Sequence, residues 1–206
     1  MSIESDTIIY SKKGGVYYIK LNRPAAFNSF NKEMAKAVQD ALLDAENDEE
    51  CRCIAITGEG KAFCAGQDLK EITDPGGPDI TTIVSKHYNP IISKIRTIEK
   101  PIVALVNGVA AGAGANIALA CDIVIANESA YFLQAFSKIG LIPDSGGTFT
   151  LPRLVGWQKA SAYMMLGDKV SAVEAERVGM IYQSVSNDEF VKRGDEITAK
   201  LAALPT

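Results

Sequence analysis

A single acidic residue in glycine-rich, apolar surroundings, Asp144 of the run IPDSGG, is the first position where this sequence could do chemistry. Two other stretches complement it. FCAGQDL (Phe63 to Leu69) and VAAGAGAN (Val109 to Asn116) are loops of small residues, each following an apolar run that reads as a strand. A strand that feeds small residues into a helix start leaves backbone N–H groups bare. With the helix dipole behind them, they suit a place where negative charge develops. Two convergent N–H donors make an oxyanion hole, and one carboxylate beside them could carry a proton. Each part also has a plainer reading. Glycines serve tight turns and close packing of helix on strand, which on local composition alone is the better account of both loops. Asp144 could equally cap a helix beginning near Ser145.

Other chemistries fail on residue type or spacing. The chain has 1 His, His87, so a His-dependent triad or a multi-His metal centre lacks a second imidazole. Within the polar stretch SKHYNP, His87 reads as a solvated helix residue. Gly58-Glu59-Gly60 and Gly112-Ala113-Gly114 begin a dinucleotide fingerprint without its third glycine, and there is no GxxxxGK(S/T). Cys51, Cys53, Cys64 and Cys121 lack zinc-ribbon spacing and do not look like a secreted disulfide framework, so a reducing cytoplasm is the expected setting. A formal net charge of −4 with no Lys/Arg run argues against nucleic acid as a partner. No apolar run reaches membrane-spanning length. At 206 residues, 47% hydrophobic and 22% charged, the chain suits one globular domain with a substantial core.

The elements that must position these residues follow from periodicity. Residues 7–21 read as a hairpin around Lys-Lys-Gly-Gly, and an amphipathic helix is predicted from Asn31, its N-cap, to Glu46. Cys51 to Thr57 reads as a strand. Residues 71–79 form a Pro/Gly-rich loop, and a long helical pattern from Thr81 to Ile98 is kinked or divided at Pro90. Apolar strands at Ile102 to Val106 and Ile123 to Ala126 flank a short helix, Asn116 to Ala120. Further helices are predicted at Gln158 to Leu166 and Ala172 to Val178, a strand at Tyr182 to Val185, and a last helix from about Asp188. Strands alternating with helices imply an α/β fold with parallel, buried strands. The organisation expected is a core over residues 1–186 and a helical segment over 187–206, whose helix has no later stretch of chain to pack against.

Taken together, NRPAAFNSFN, FCAGQDL, VNGVAAGAGANIALACDIVIA and AFSKIGLIPDSGGTFTLPRLVG resemble the crotonase (enoyl-CoA hydratase/isomerase) superfamily over essentially the whole chain. The resemblance implies a spiral of ββα turns, an acyl-CoA thioester substrate, no separate cofactor because coenzyme A is part of the substrate, and assembly into homotrimers or hexamers. Family members usually continue into a further helical segment, so the resemblance implies that the C-terminal helical region is incomplete here. It implies that the backbone N–H groups of Gln67 and Ala113 form the oxyanion hole, where side-chain type matters little. Ala65, Gly66, Asp68 and Leu69 would line the CoA arm or shape its loop, with Gly112 beside the second donor. Arg23, Ala25 and Ala26 fall where the family contacts the CoA nucleotide. For Asp68 and Asp122 a structural role, bonding nearby backbone N–H groups, is the better reading.

The acid–base positions separate the chemistries within that family. A hydratase of this kind would carry one Glu at the position of Asn116 and another at Phe136, and neither residue here can act as a carboxylate base. Asp144 remains, and with the family register it is read as the acid–base group of an isomerase. FCAGQDL, HYNP and GMIYQ look closest to members that convert ring-1,2-epoxyphenylacetyl-CoA to its oxepin and shift double bonds in enoyl-CoA. Phe132, Phe136, Ile142 and Trp157 are candidate walls for an aromatic acyl group, although such residues are more often plain core. The alternatives are an enoyl-CoA hydratase or dienoyl-CoA isomerase, and a catalytically silent subunit that binds acyl-CoA.

Overall fold

The strands that read as continuous apolar runs are buried on both faces, and this sets the architecture. A computed structural model describes residues 5–205; residues 1–4 and 206, the outermost positions of the two expected segments, lie outside it. The chain opens with the hairpin β1 (Ile8–Lys13) and β2 (Val16–Leu21), then α1 (Lys32–Asn47). Three strand pairs follow: β3 (Cys53–Gly58) with β4 (Ala62–Cys64), β5 (Ile102–Val106) with β6 (Val109–Ala111), and β7 (Ile123–Asn127) with β8 (Tyr131–Leu133). The first member of each pair enters a large sheet of order β1-β2-β3-β5-β7-β10, and the second a small sheet of order β4-β6-β8-β9, where β9 is Lys169–Ser171 and β10 is Gln183–Val185. Each pair is thus one turn of a spiral that advances one strand along both sheets. The pairings β2/β3, β3/β5, β5/β7 and β7/β10 are all parallel.

Alternate residues of the large sheet serve two layers. Ile54, Ile56, Ile102, Ala104 and Val106 face the main core with α1 and the central helices. Cys53, Ala55, Val103 and Leu105 face the other way, into a smaller cluster that includes Phe190. Phe190 belongs to the last helix, α9 (Asn187–Ala202), whose buried residues Phe190, Gly194 and Thr198 recur every fourth position. A Cβ added at Gly194 would lie 3.0 Å from Leu105 Cδ1, so this helix lies directly on the sheet. The outer face of the large sheet is therefore the packing partner that the sequence did not reveal for it.

Between the strand pairs run α2 (Leu69–Thr73), α3 (Ile80–Thr82), α4 (Asn89–Thr97) and α5 (Ala113–Ala120). The long pattern expected over Thr81 to Ile98 is helical, but Ile83–Tyr88 between α3 and α4 is a π-helix. Pro90 sits in the first turn of α4, where a missing N–H is tolerated. The Lys86 carbonyl, to which an ordinary residue at 90 would donate, accepts from Gln39 Nε2 of α1 instead, at 2.8 Å. His87, expected to be solvated, is 6% exposed and its Nδ1 has no partner among the described residues. The π-helical offset turns this position inward, and its polar neighbours in sequence gave no sign of that. The remaining helices are α6 (Gly147–Val155), α7 (Trp157–Leu166) and α8 (Ala172–Arg177). No helix among the described residues is long and apolar enough to cross a membrane.

Helix α5 is the centre of the molecule. It starts at Ala113 rather than at Asn116 as the periodicity suggested, and every one of its residues is buried. A helix apolar on all sides is stable only when enclosed, and here the small side chains allow strands to approach closely. A Cβ at Gly114 would lie 2.4 Å from the Cys64 carbonyl oxygen and 2.7 Å from Cys64 Sγ. All four Cys are free and buried. Because the backbone of β4 cannot yield as a flexible side chain would, Gly114→Ala should lower the unfolding free energy by about 1–3 kcal/mol in a denaturant titration; a change within 0.5 kcal/mol, roughly that of an ordinary surface substitution, would show that the approach is looser.

Candidate active site

The first turns of two helices, α2 and α5, meet at the end of the small sheet. Gly66 (φ +95°) and Gly112 (φ +54°) take backbone conformations that glycine adopts and other residues resist. A Cβ at Gly66 would be 3.0 Å from the Ala111 carbonyl oxygen and 3.7 Å from the Ala113 nitrogen, so the two connections lie against each other. Phe30 bridges to Gln67: its N–H donates to the Gly66 carbonyl (2.7 Å), and its carbonyl accepts from the Asp68 N–H (2.8 Å). In such a bridge the N–H of the intervening residue points away, which leaves the Gln67 N–H facing the opposite side. Ala113, at the start of α5, has no residue in its own helix to donate to. Among the described residues neither the Gln67 nor the Ala113 N–H has a hydrogen-bond partner.

Gln67, Ala113 and Asp144 all line one cleft of about 390 Å³. Ala26, Ala65, Gly66, Leu69, Gly112 and Phe136 line it with them. Arg23, Ala25, Asp68 and Asn116 do not. Arg23 donates to the Ser29 carbonyl and forms an ion pair with Asp68 at 2.7 Å. Asp68 also caps α2, accepting from the Lys70 N–H at 3.0 Å. Burial raises the Asp68 carboxyl pKa, but the opposing bonds from Arg23 and Lys70 outweigh it and hold the pKa below its usual value. Asp122 likewise accepts from the Ile102 N–H and from Arg96, both at 2.9 Å. Ala25 is exposed in the 3₁₀ turn Pro24–Ala26.

The rest of the wall is mostly apolar and includes residues that sequence reasoning missed: Ile72, Ile80, Ile83, Tyr88, Ile139 and Leu141. Of the four aromatic and aliphatic walls expected, only Phe136 lines the cleft. Phe132 is buried in the main core, while Ile142 and Trp157 are 81% and 72% exposed and lie outside it. Residue type alone does not say which cavity a side chain meets: Phe132 of β8 takes the plain core place that such residues more often have, whereas Ile142 and Trp157 lie in solvent.

The Gln67 side chain is not a bystander. Its Oε1 accepts from the buried Tyr88 hydroxyl at 2.8 Å and its Nε2 donates to Glu71 Oε2 at 2.7 Å. Glu71 Oε1 in turn accepts from the Lys32 N–H at 2.8 Å. This chain of bonds ties the π-helix, the first donor loop, α2 and the start of α1 together. Burial first, then Cys64, Asp144 and Glu71, hold the Tyr88 phenol well above its usual pKa, so it remains a donor. Beyond the residue types, nothing in the sequence signals this network.

Asp144 lies in a turn closed by the Gly147 N–H donating to the Asp144 carbonyl at 2.8 Å. Ser145 (φ +50°) and Gly146 (φ +73°) are both left-handed, as the turn requires, and the non-glycine residue costs about 1–2 kcal/mol. Helix α6 begins only at Gly147, with Gly146 at its cap position and no side-chain cap bond. The capping role that competed for Asp144 is thus not the one its carboxylate plays. Its Oδ1 accepts from Ser145 Oγ at 2.9 Å. Burial pushes the Asp144 carboxyl above its ordinary 3.8, an effect that the Ser145 bond only partly offsets.

A profile of the enoyl-CoA hydratase/isomerase family matches residues 11–206. The chain is 46% identical over 195 residues to the 1,2-epoxyphenylacetyl-CoA isomerase of Escherichia coli (strain K12), covering 93% of this chain and 74% of that protein. It is 42% identical over 200 residues to a probable enoyl-CoA hydratase of Rhodobacter capsulatus, covering 97% and 77%. A crystal structure of a putative enoyl-CoA hydratase/isomerase from Mycobacterium abscessus superposes with a TM-score of 0.90 at 36% identity, over 97% of this chain and 78% of that one.

The raised Asp144 pKa has a consequence for stability. Between 3.8 and its higher folded value, the native carboxyl holds a proton that the unfolded one has released. Stability therefore falls as pH rises through that window, and the ionised group is destabilising at neutral pH. Asp144→Asn should raise the melting temperature at pH 7, with the gain shrinking as the pH approaches 3.8. Calorimetry across pH checks it, and an unchanged or lower melting temperature at pH 7 would contradict the burial of a charged group there.

Proposed function

The chain belongs to the enoyl-CoA hydratase/isomerase family, whose spiral of ββα turns it shares, and from that premise we propose that it is an acyl-CoA isomerase acting through one carboxylate. The observation that carries the proposal is that Asp144 is the sole carboxylate among the described residues lining the cleft, which it shares with two unpartnered backbone N–H groups. The thioester oxygen would accept from Gln67 and Ala113. As Asp144 removes a proton from the α-carbon, that oxygen gains enolate charge where the two donors meet it. The protonated carboxyl then returns the proton at the γ-carbon, and the double bond of a 3-enoyl-CoA moves into conjugation with the thioester. Both the electrons and the proton stay within the substrate, so the reaction calls for no redox partner.

Desolvation suits this role. A carboxyl whose pKa lies above 3.8 is a stronger base than an ordinary aspartate and a competent donor once protonated. The substrate we favour is ring-1,2-epoxyphenylacetyl-CoA: Asp144 would take the same α-proton and return it to a ring carbon as the carbon–carbon bond of the epoxide opens, so that the oxepin formed is an isomer of the substrate. The similarity to the Escherichia coli isomerase supports this, as does the apolar wall of Ile72, Ile83, Phe136 and Leu141. Hydration would need a second group to position water, and Asn116 is buried at 1% exposure and does not line the cleft. Exposed apolar residues on α6 and α7, among them Phe149, Trp157 and Met165, support assembly into trimers or pairs of trimers.

The test sets ring-1,2-epoxyphenylacetyl-CoA beside a 3-enoyl-CoA, with wild type and Asp144→Asn. We expect turnover of at least one substrate and a fall of about 10²–10⁴-fold in kcat for the variant. Near-full turnover by the variant, vigorous hydration of crotonyl-CoA, or binding without turnover of any substrate would each overturn the proposal. Light scattering on the purified protein should give the mass of three or six chains, and a monomer at all concentrations would overturn the assembly.

A further inference from the structure

We infer that Asn116 is a positioning residue that holds the Asp144 turn at a set place relative to the Ala113 donor, an inference that rests on the proposed role of Asp144. Asn116 lies on α5 three residues after Ala113, so one short helix carries both the oxyanion donor and the fastening of the carboxylate loop. Its Nδ2 donates to the Asp144 carbonyl at 2.9 Å, and its Oδ1 accepts from Gln134 Nε2 at 2.8 Å. A Cβ at Gly147 would lie 2.3 Å from that Nδ2, so the loop rests directly on the amide.

The direction of the amide is fixed from both ends. A carbonyl can only accept, so Asp144 must face Nδ2; Oδ1 must then meet the Nε2 of Gln134. This leaves Gln134 Oε1 buried and without a partner among the described residues. An unsatisfied buried acceptor is a cost that an apolar residue at 116 or 134 would not incur. A residue that only filled space at this point of a helix otherwise made of Ala, Gly, Ile and Leu would do so better without polar atoms. What the amide adds is a rigid link from α5 through the Asp144 backbone, and from Gln134 at the head of Ala135–Ile139, whose residues Ala135, Phe136 and Ile139 form one cleft wall. The link bears on the reacting groups because a displacement of about 1 Å in a proton-transferring group can cost about 100-fold in rate.

Asn116→Asp keeps the shape of the side chain but removes the donor to Asp144. With the 3-enoyl-CoA, we expect kcat to fall about tenfold or more while KM stays within about twofold, since the thioester site is untouched. In the Asp144→Asn background the same change should have no further effect, because a group that acts only through Asp144 has nothing left to position. Gln134→Met, which removes the brace on the amide together with the orphaned acceptor, should show the same pattern at smaller amplitude and serves if Asn116→Asp does not fold. Wild-type kcat in both variants, a fall in KM and kcat together, or a second full loss on top of Asp144→Asn would overturn the inference. If Asp144→Asn alone leaves turnover intact, it is the acid–base reading of Asp144 that fails instead.

Discussion

Everything at the cleft depends on three places where a side chain is absent. Gly66, Gly112 and Gly114 allow the connection after β4 and the connection after β6 to touch through their backbones, and α5 to lie against β4. Any Cβ at Gly66 or Gly114 would push the two loops apart by the margin that separates two convergent N–H groups from two unrelated ones. The parallel pairing of the two sheets brings the same loops to the same end of the molecule, turn after turn. Sequence-local freedom and sheet topology therefore act on one pair of atoms, the amide nitrogens of Gln67 and Ala113.

Around that backbone cradle the side chains divide into two networks with opposite characters. On one side Tyr88, Gln67 and Glu71 are hydrogen-bonded in series and stiffen the first donor. On the other, Asp144 has one neutral hydroxyl partner and is otherwise desolvated, which leaves its proton mobile. A fully satisfied carboxylate such as Asp68, bonded to Arg23 and Lys70, illustrates the contrast: its charge is held and it is lost to proton transfer. The two carboxylates differ in partners rather than in kind.

How much of this was legible in the sequence depends on the length scale of each signal. The strands of the large sheet are five or six residues of nearly continuous apolar character at β3, β5 and β7, and they read plainly. The small sheet is built from three-residue strands set among glycines and alanines, too short for a period of two to register. The first turn of helix α5 has no periodic signal because Gly and Ala carry no amphipathic pattern. Asp144 and the two donor loops stood out as motifs, whereas the role of the Gln67 side chain did not, since it rests on Tyr88, 21 positions away. At Asn116 the sequence shows a missing carboxylate; the bond its amide makes to a backbone carbonyl 28 positions on has no sequence signature.

The π-helical stretch Ile83–Tyr88 is in effect one residue inserted into an otherwise ordinary helix, with the Asn89 N–H reaching back five positions to Val84. Each residue advances a helix by about 100°, so a relative with one residue fewer here would present a different side chain where Tyr88 now stands. Chain length in this segment, independent of residue identity, sets which group leans into the cleft. A gap of a single position in a pairwise alignment across residues 83–88 is then a statement about the shape of the cleft, and two family members alike at every loop motif could differ in what they admit.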